Sequence, residues 1–223
     1  MSGYFITGTD TGVGKTIVTL AMMELLKRRG FEVAGMKPVA SGCDSGAAGL
    51  RNSDAEQIMQ ACSSGLPYSQ VNPYAFEPAI APHIAAARSG ESIQLTRIVS
   101  ICRDLEETAD RVVVEGVGGW EVPLGSGRML PDLACGLGLT VILVVGLRLG
   151  CINHALLTVS AIKSTELEFG GWIANQQQPR IEAMDEIINT LRERIDAPLL
   201  GVLPWCEDPK PGEMAGYLRG FPE

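Results

Sequence analysis

The sequence of 223 residues is poor in the groups that build metal centres and cross-links. It holds two histidines, His83 and His154, and neither stands at a ligand spacing from another donor. The six cysteines, Cys43, Cys62, Cys102, Cys135, Cys151 and Cys206, form no CxxC pair. A zinc site is therefore not expected, and the thiols read as the reduced cysteines of a cytoplasmic protein. Basic residues are also scarce: 18 Lys and Arg stand against 26 Asp and Glu, a net charge of −8. Nucleic acid and anionic membranes need a cationic face, so neither is expected as a partner. The longest apolar run, from Leu137 to Leu147, ends at Arg148. It is too short to span a bilayer, and its β-branched content suits a buried strand. Met1-Ser2-Gly3 leads straight into a strand-like segment, which predicts no signal or transit peptide.

What is present is a chain that can bury a core. Hydrophobic residues make up 46% and charged residues 20%, outside the range of a disordered polymer. Apolar runs at Tyr4–Thr7, Val33–Lys37, Arg111–Glu115, Thr140–Val145, Gly171–Asn175 and Leu199–Leu203 read as strands. Between them, helices are expected at Thr16–Arg29, Asp54–Ala61, Leu95–Thr108, Pro131–Leu137, Cys151–Ser164 and Ile181–Ile195. Strands that are apolar throughout and separated by helices predict one α/β domain over residues 1–223, a mostly parallel sheet with helices on both faces. The Gly-, Ser- and Pro-rich region Cys43–Gly90 is expected to carry long loops. In such a sheet ligands collect beyond the carboxyl ends of the strands.

The first of those ends carries Gly8-Thr9-Asp10-Thr11-Gly12-Val13-Gly14-Lys15-Thr16. The strict GxxxxGK[ST] pattern is missed, because Thr9 stands at its first glycine. Gly12, Gly14, Lys15 and Thr16 nevertheless sit between a strand and a helix, where converging N–H groups and the helix dipole suit a phosphate. Lys15 would meet the β- and γ-phosphates, and Thr16 would offer a hydroxyl to Mg²⁺; the alternative is an ordinary Gly-rich turn with a capping threonine. Three other strand ends carry chemistry-bearing residues. Val112–Val114 runs into Glu115-Gly116-Val117-Gly118-Gly119, where the carboxylate either takes Mg²⁺ or simply faces a loop. Lys37 ends the second strand and either neutralises an anion or is solvated. Gly150 opens a helix whose free N–H groups suit a carboxylate, while His154 reads as a packing residue. Asn52 or Ser53 caps the helix that begins near Asp54.

Taken together, GTDTGVGKT, AGMKPVASG, GLRNSDA, VNPYAF, VVVEGVGGW, LGCINHALLT, GWIAN and APLLGVLPW resemble the dethiobiotin synthetase family, in the family's order and over most of the chain. The resemblance implies a homodimeric P-loop NTPase fold in which ATP and Mg²⁺ drive closure of a ureido ring on 7,8-diaminononanoate and CO₂, through a carbamate and a carbamic–phosphoric anhydride. It assigns phosphate binding to Gly12, Val13, Gly14, Lys15, Thr16 and Ile17, and Mg²⁺ to Thr16, Asp54 and Glu115. Lys37 and Lys15 take catalytic roles. Thr11, Lys37, Ser41 and the Gly116-Val117-Gly118 backbone line the substrate and nucleotide site. Gly150, Cys151 and Asn153 would hold the substrate carboxylate across the dimer interface, and Asn175, Gln176, Pro204, Trp205 and Cys206 the adenine. Two positions depart from the pattern: Gly12 stands where some members carry an acidic residue, and Gln176 where a carboxylate occurs. The runners-up are a partitioning or positioning ATPase switch and a paralogous ligase for another diamine. An amide-forming corrinoid synthase is not expected, because this length leaves no room for a glutaminase domain.

Overall fold

The computed structural model describes residues 3–221, so the reading of Met1 and Ser2 lies outside the described residues. The chain opens with β1 (Gly3–Gly8), α1 (Lys15–Arg28), β2 (Val33–Met36), β3 (Val39–Ser41), the hairpin β4 (Asp44–Gly46) and β5 (Gly49–Arg51), and α2 (Ser53–Ala61). It continues through α3 (Tyr68–Val71), β6 (Tyr74–Phe76), α4 (Pro82–Ser89), α5 (Leu95–Glu106) and β7 (Arg111–Glu115). Then come the hairpin β8 (Pro123–Gly125) and β9 (Arg128–Met129), α6 (Leu130–Leu137), β10 (Thr140–Leu147) and α7 (Cys151–Lys163). The last elements are β11 (Phe169–Gln176), α8 (Met184–Arg194), β12 (Leu199–Leu203), α9 (Pro211–Met214) and a 3₁₀ turn at Ala215–Tyr217.

Six of these strands form one sheet in the order β12-β11-β10-β1-β7-β2, and every pairing in it is parallel. Strand side chains alternate between faces, and both faces are apolar. Phe5, Val112, Val114, Leu143 and Trp172 point into the layer covered by α5, α6, α7 and α8. Ile6, Val113, Ile142, Val144 and Ile173 point into the layer built with α1 and α2. From β1 the chain fills one side with β2 and β7, then crosses to lay down β10, β11 and β12 on the other. The order therefore reverses at β1, and the crevice where ligands bind opens at its carboxyl end.

The expected strands all form, and β10 and β11 run longer because Gly146 and Leu147 go on pairing with Asn175 and Gln176. α8 begins at Met184 rather than Ile181, since Ala183 takes a left-handed conformation with φ 54°. The Cys43–Gly90 region is more regular than expected. Besides α2, which was expected, it holds the β4–β5 hairpin, β6, which pairs in parallel with the preceding β3, and α3 and α4. Strands of three residues are too short for period-two alternation to reveal.

Candidate active site

The phosphate loop spans Thr9 to Gly14 between β1 and α1. Gly14 has φ 91°, and a Cβ there would run into the Asn175 side-chain amide, so any other residue would be strained and would have to displace that side chain or the loop. That amide donates to the Val13 carbonyl at 2.9 Å, and the Gln177 amide donates to the Gly12 carbonyl at 2.5 Å. The end of β11 thus holds the loop from behind. Beside it, Arg148 and Asp10 form an exposed ion pair of 2.6 Å, worth roughly 0–1 kcal/mol in water.

Lys15 opens α1 and is 7% exposed. Its ammonium folds back on the loop, donating to the Asp10 carbonyl at 2.9 Å and the Gly118 carbonyl at 2.5 Å. Burial pulls its pKa down to about 8; Glu115 opposes that shift and the neighbouring Lys37 adds to it. An anion with several negative oxygens would favour the charged form of such a lysine. Thr16 does not cap the helix. Its hydroxyl donates to Glu115 Oε1 at 3.0 Å.

Lys37 follows β2 directly, is also 7% exposed, and is not a solvated strand terminus. Its ammonium meets Asp54 Oδ2 at 2.5 Å and Glu115 Oε1 at 2.7 Å. Burial lowers its pKa, but Glu115 and then Asp54 outweigh burial and hold it above the ordinary lysine value. Asp54 reaches the lysine from the first turn of α2, which Asn52 caps by accepting from the Ala55 N–H at 3.2 Å. Glu115 ends β7, is 1% exposed, and its Oε2 has no hydrogen-bond partner among the described residues. Ser41 Oγ is likewise buried without a partner.

Thr11, Gly12, Gly14, Lys15, Thr16, Lys37, Ser41, Asp54, Glu115, Gly116, Val117 and Gly118 line one cleft of about 780 Å³. A mostly apolar wall of Ala79, Ile80, Ala81, Pro82, Val122 and Pro123, with Glu121 beside it, also lines the cleft. Sequence reading missed this wall, because single aliphatic residues in irregular chain carry no periodic signal. A second pocket of about 190 Å³ gathers Ile17, Asn175, Gln176, Pro204, Trp205 and Cys206, joined by Gln177, Pro209 and Met214. Val13 is buried and lines neither cavity; it serves the loop through its carbonyl. Gly150, Cys151 and Asn153 also line neither. Gly150, with φ 90°, and Asn153 are exposed at the start of α7, beside the fully exposed Leu149, while Cys151 is buried.

The oxygen donors Thr16, Asp54 and Glu115 suit a hard cation such as Mg²⁺. Among the described residues no group of three or more His, Cys, Asp and Glu side chains is arranged to hold a metal ion, and the six cysteines are free. No described helix is long and apolar enough to cross a membrane.

Residues 2–211 match the family model described as an AAA domain. The chain is 48% identical over 219 residues to the ATP-dependent dethiobiotin synthetase BioD of Pseudomonas paraeruginosa, covering 98% of this chain and 96% of that protein. It is 46% identical over 220 residues to the BioD of Marinobacter nauticus, covering 98% and 94%. Among solved structures, the septum site-determining protein MinD with Mg-ADP from Pyrococcus horikoshii superposes with a TM-score of 0.56 at 17% identity, over 98% of this chain and 87% of that one. A ParA family ATPase from Chlorobium tepidum gives 0.55 at 14%, over 92% and 85%. At those identities the likeness is one of fold, a P-loop NTPase fold, whereas the near-full-length identity to the synthetases is one of family. The chain belongs to the ATP-dependent dethiobiotin synthetases, within the AAA-domain family of P-loop NTPases.

Proposed function

We propose that residues 1–223 form one ATP-binding ligase domain that makes dethiobiotin from 7,8-diaminononanoate, CO₂ and ATP. The observation that carries this reading is the convergence of two buried ammonium groups, Lys15 and Lys37, with Thr16, Asp54 and Glu115 in one cleft at adjacent strand ends. The phosphates lie on the Gly12–Ile17 turn against Lys15, and the base in the pocket of Asn175, Gln176, Pro204, Trp205 and Cys206. Thr16, Asp54 and Glu115 hold Mg²⁺, and the unpartnered Glu115 Oε2 is an acceptor that a hard cation satisfies. When bound, the ion supplies positive charge to the phosphoryl oxygens.

The chemistry needs positioning more than covalent help. One substrate amine adds to CO₂ and loses a proton to become a carbamate. A carbamate oxygen then attacks the γ-phosphorus as ADP leaves, giving the mixed anhydride. The second amine attacks the carbonyl carbon of that anhydride, inorganic phosphate departs, and the ring closes. Both amines belong to one molecule, so holding it still converts closure into an intramolecular step. Lys37 stabilises the carbamate and the transferring phosphoryl group, Lys15 the β- and γ-oxygens, and Thr11, Ser41 and the Gly116–Gly118 backbone orient the diamine end. The apolar wall from Ala79 to Pro82 suits the alkyl chain. Gly150, Cys151 and Asn153 take the substrate carboxylate for the cleft of a second copy in a cytoplasmic homodimer.

The test supplies purified protein with diaminononanoate, bicarbonate, Mg²⁺ and ATP, and reads dethiobiotin against ADP. Equal amounts of the two products are expected. Folded protein that forms no dethiobiotin sinks the proposal, and turnover stimulated by DNA or lipid but indifferent to the diamine replaces it with a switch ATPase.

A further inference from the structure

The VNPYAF segment has no part in the chemistry above, yet it is bound to the catalytic lysine from behind. Asn72 is 3% exposed, and its side-chain amide donates to the Lys37 carbonyl at 2.6 Å and to the Tyr74 carbonyl at 3.3 Å. Its oxygen accepts from the Tyr68 hydroxyl at 3.0 Å. That hydroxyl in turn accepts from the Asn52 backbone N–H at 2.8 Å. Asn52 is the cap of α2, and two residues beyond it Asp54 meets the Lys37 ammonium. Lys37 is tied a second time through its own N–H, which donates to the Val71 carbonyl at 2.8 Å.

These bonds form a closed circuit: Lys37 backbone, Asn72, Tyr68, Asn52, Asp54, Lys37 ammonium. Both amide hydrogens and the oxygen of Asn72 are used, and the Tyr68 hydroxyl accepts one bond and donates one, so its rotor is fixed. A fully satisfied polar circuit in a low-dielectric interior is rigid, and its bonds polarise one another in one direction. The two ends it joins are the strand end that carries the lysine and the helix start that carries the carboxylate. At its other end α2 is joined to β2 by Cys62 and Ser63, which bond to Gly35 and Val33, so the circuit is what ties the start of the helix to the end of the strand. Arg51, whose guanidinium lies 3.9 Å above the Tyr68 ring, holds the ring in place from the β4–β5 hairpin.

We propose that Asn72, Tyr68 and Asn52 are positioning residues, a hydrogen-bonded clamp that fixes Asp54 against Lys37 and so aims the lysine into the cleft. The kinetic part of this proposal rests on the ring-closing reading above; the geometric part does not. Tyr68→Phe removes the one hydroxyl that closes the circuit and keeps the ring that packs under Arg51. Asn72→Ala removes more and is the harsher variant, so Tyr68→Phe decides the matter if Asn72→Ala fails to fold.

Two measurements separate aim from mere stability. The first needs no activity: trace acetylation with acetic anhydride, read lysine by lysine in a mass spectrometer against the exposed Lys163. In Tyr68→Phe, Lys37 is expected to label about five-fold faster, the change that losing a bond of roughly 1 kcal/mol produces when that bond holds it away from solvent. Unchanged Lys37 labelling overturns the clamp. The second is kinetic: kcat for dethiobiotin is expected to fall about ten-fold while the ATP Kd stays within about two-fold, since displaced catalytic groups cost rate rather than nucleotide affinity. Unchanged kcat, or ATP affinity lost in step with kcat, overturns it as well. A wild-type protein that makes no dethiobiotin removes the ring-closing reading, and the Lys37 labelling then decides the clamp by itself.

Discussion

At the scale of single residues, burial decides which groups can do chemistry. Lys37 is enclosed by two carboxylates, so its charge is fixed and its position is set by Asp54 and Glu115. Lys37→Ala is expected to lower kcat by about 10²–10³ while the ATP Kd, read by titration of a fluorescent nucleotide, stays within about three-fold. Equal losses in both would make Lys37 a nucleotide anchor instead. The cysteines give a second prediction. Burial pushes the Cys102 thiol up to about 12, whereas Cys206 is exposed beside the smaller pocket. At pH 8 iodoacetamide should therefore alkylate Cys206 and leave Cys102 untouched, and ATP should slow the Cys206 reaction. For stability, Cys102 keeps its proton in the fold after the unfolded chain has begun to lose it near pH 9. Its contribution is thus constant below pH 9 and falls as pH rises from there through 12, so the Tm of Cys102→Ala should decline less over that interval than that of the parent.

At the scale of elements, the strand ends do the work, and most of them are legible in the sequence. Apolar runs followed by Gly-rich or charged turns mark β1, β2, β7 and β10, and each of the first three delivers its residue to the cleft: Lys15 and Thr16 after β1, Lys37 after β2, Glu115 at the end of β7. Asp54 could not be found by spacing, because its relation to Lys37 depends on where α2 lands and not on any period. The same holds for the Tyr68–Asn72 segment and the Ala79–Pro82 wall, which are short pieces placed by side-chain bonds and packing. The C-terminal piece around α9 packs on α1 and contributes Met214 to the smaller pocket, and a four-residue helix leaves no periodic trace. The β1–α1 turn offers the sharpest test. Gly14→Ala would force a left-handed Cβ into the Asn175 amide, at a cost of about 1–3 kcal/mol or displacement of the loop. Calorimetry should show a lower Tm and an ATP affinity reduced by at least about ten-fold.

At the scale of the whole molecule, acidity and anion binding coexist, because two buried ammonium groups and a helix terminus act locally within a net charge of −8. The exposed start of α7 leads to the last prediction. If Asn153 serves the cleft of a second copy, a Lys37→Ala chain and an Asn153→Asp chain fail separately but complement each other when unfolded, mixed and refolded. In a two-fold dimer, half of the randomly paired molecules hold one intact site out of two, so about one quarter of wild-type activity should return. No recovery would confine each site to one chain. The position of β1 also bears on how the protein is made. This strand is made before both of its partners, β7 and β10, yet it lies between them in the sheet. A ribosome must add on the order of 100 residues, or roughly 5–20 s of synthesis at about 5–20 residues per second, before β7 can receive it. Through that interval the nascent chain carries an apolar strand and the phosphate loop with no sheet to hold them, so nucleotide cannot assist its folding until β7 and β10 have been made.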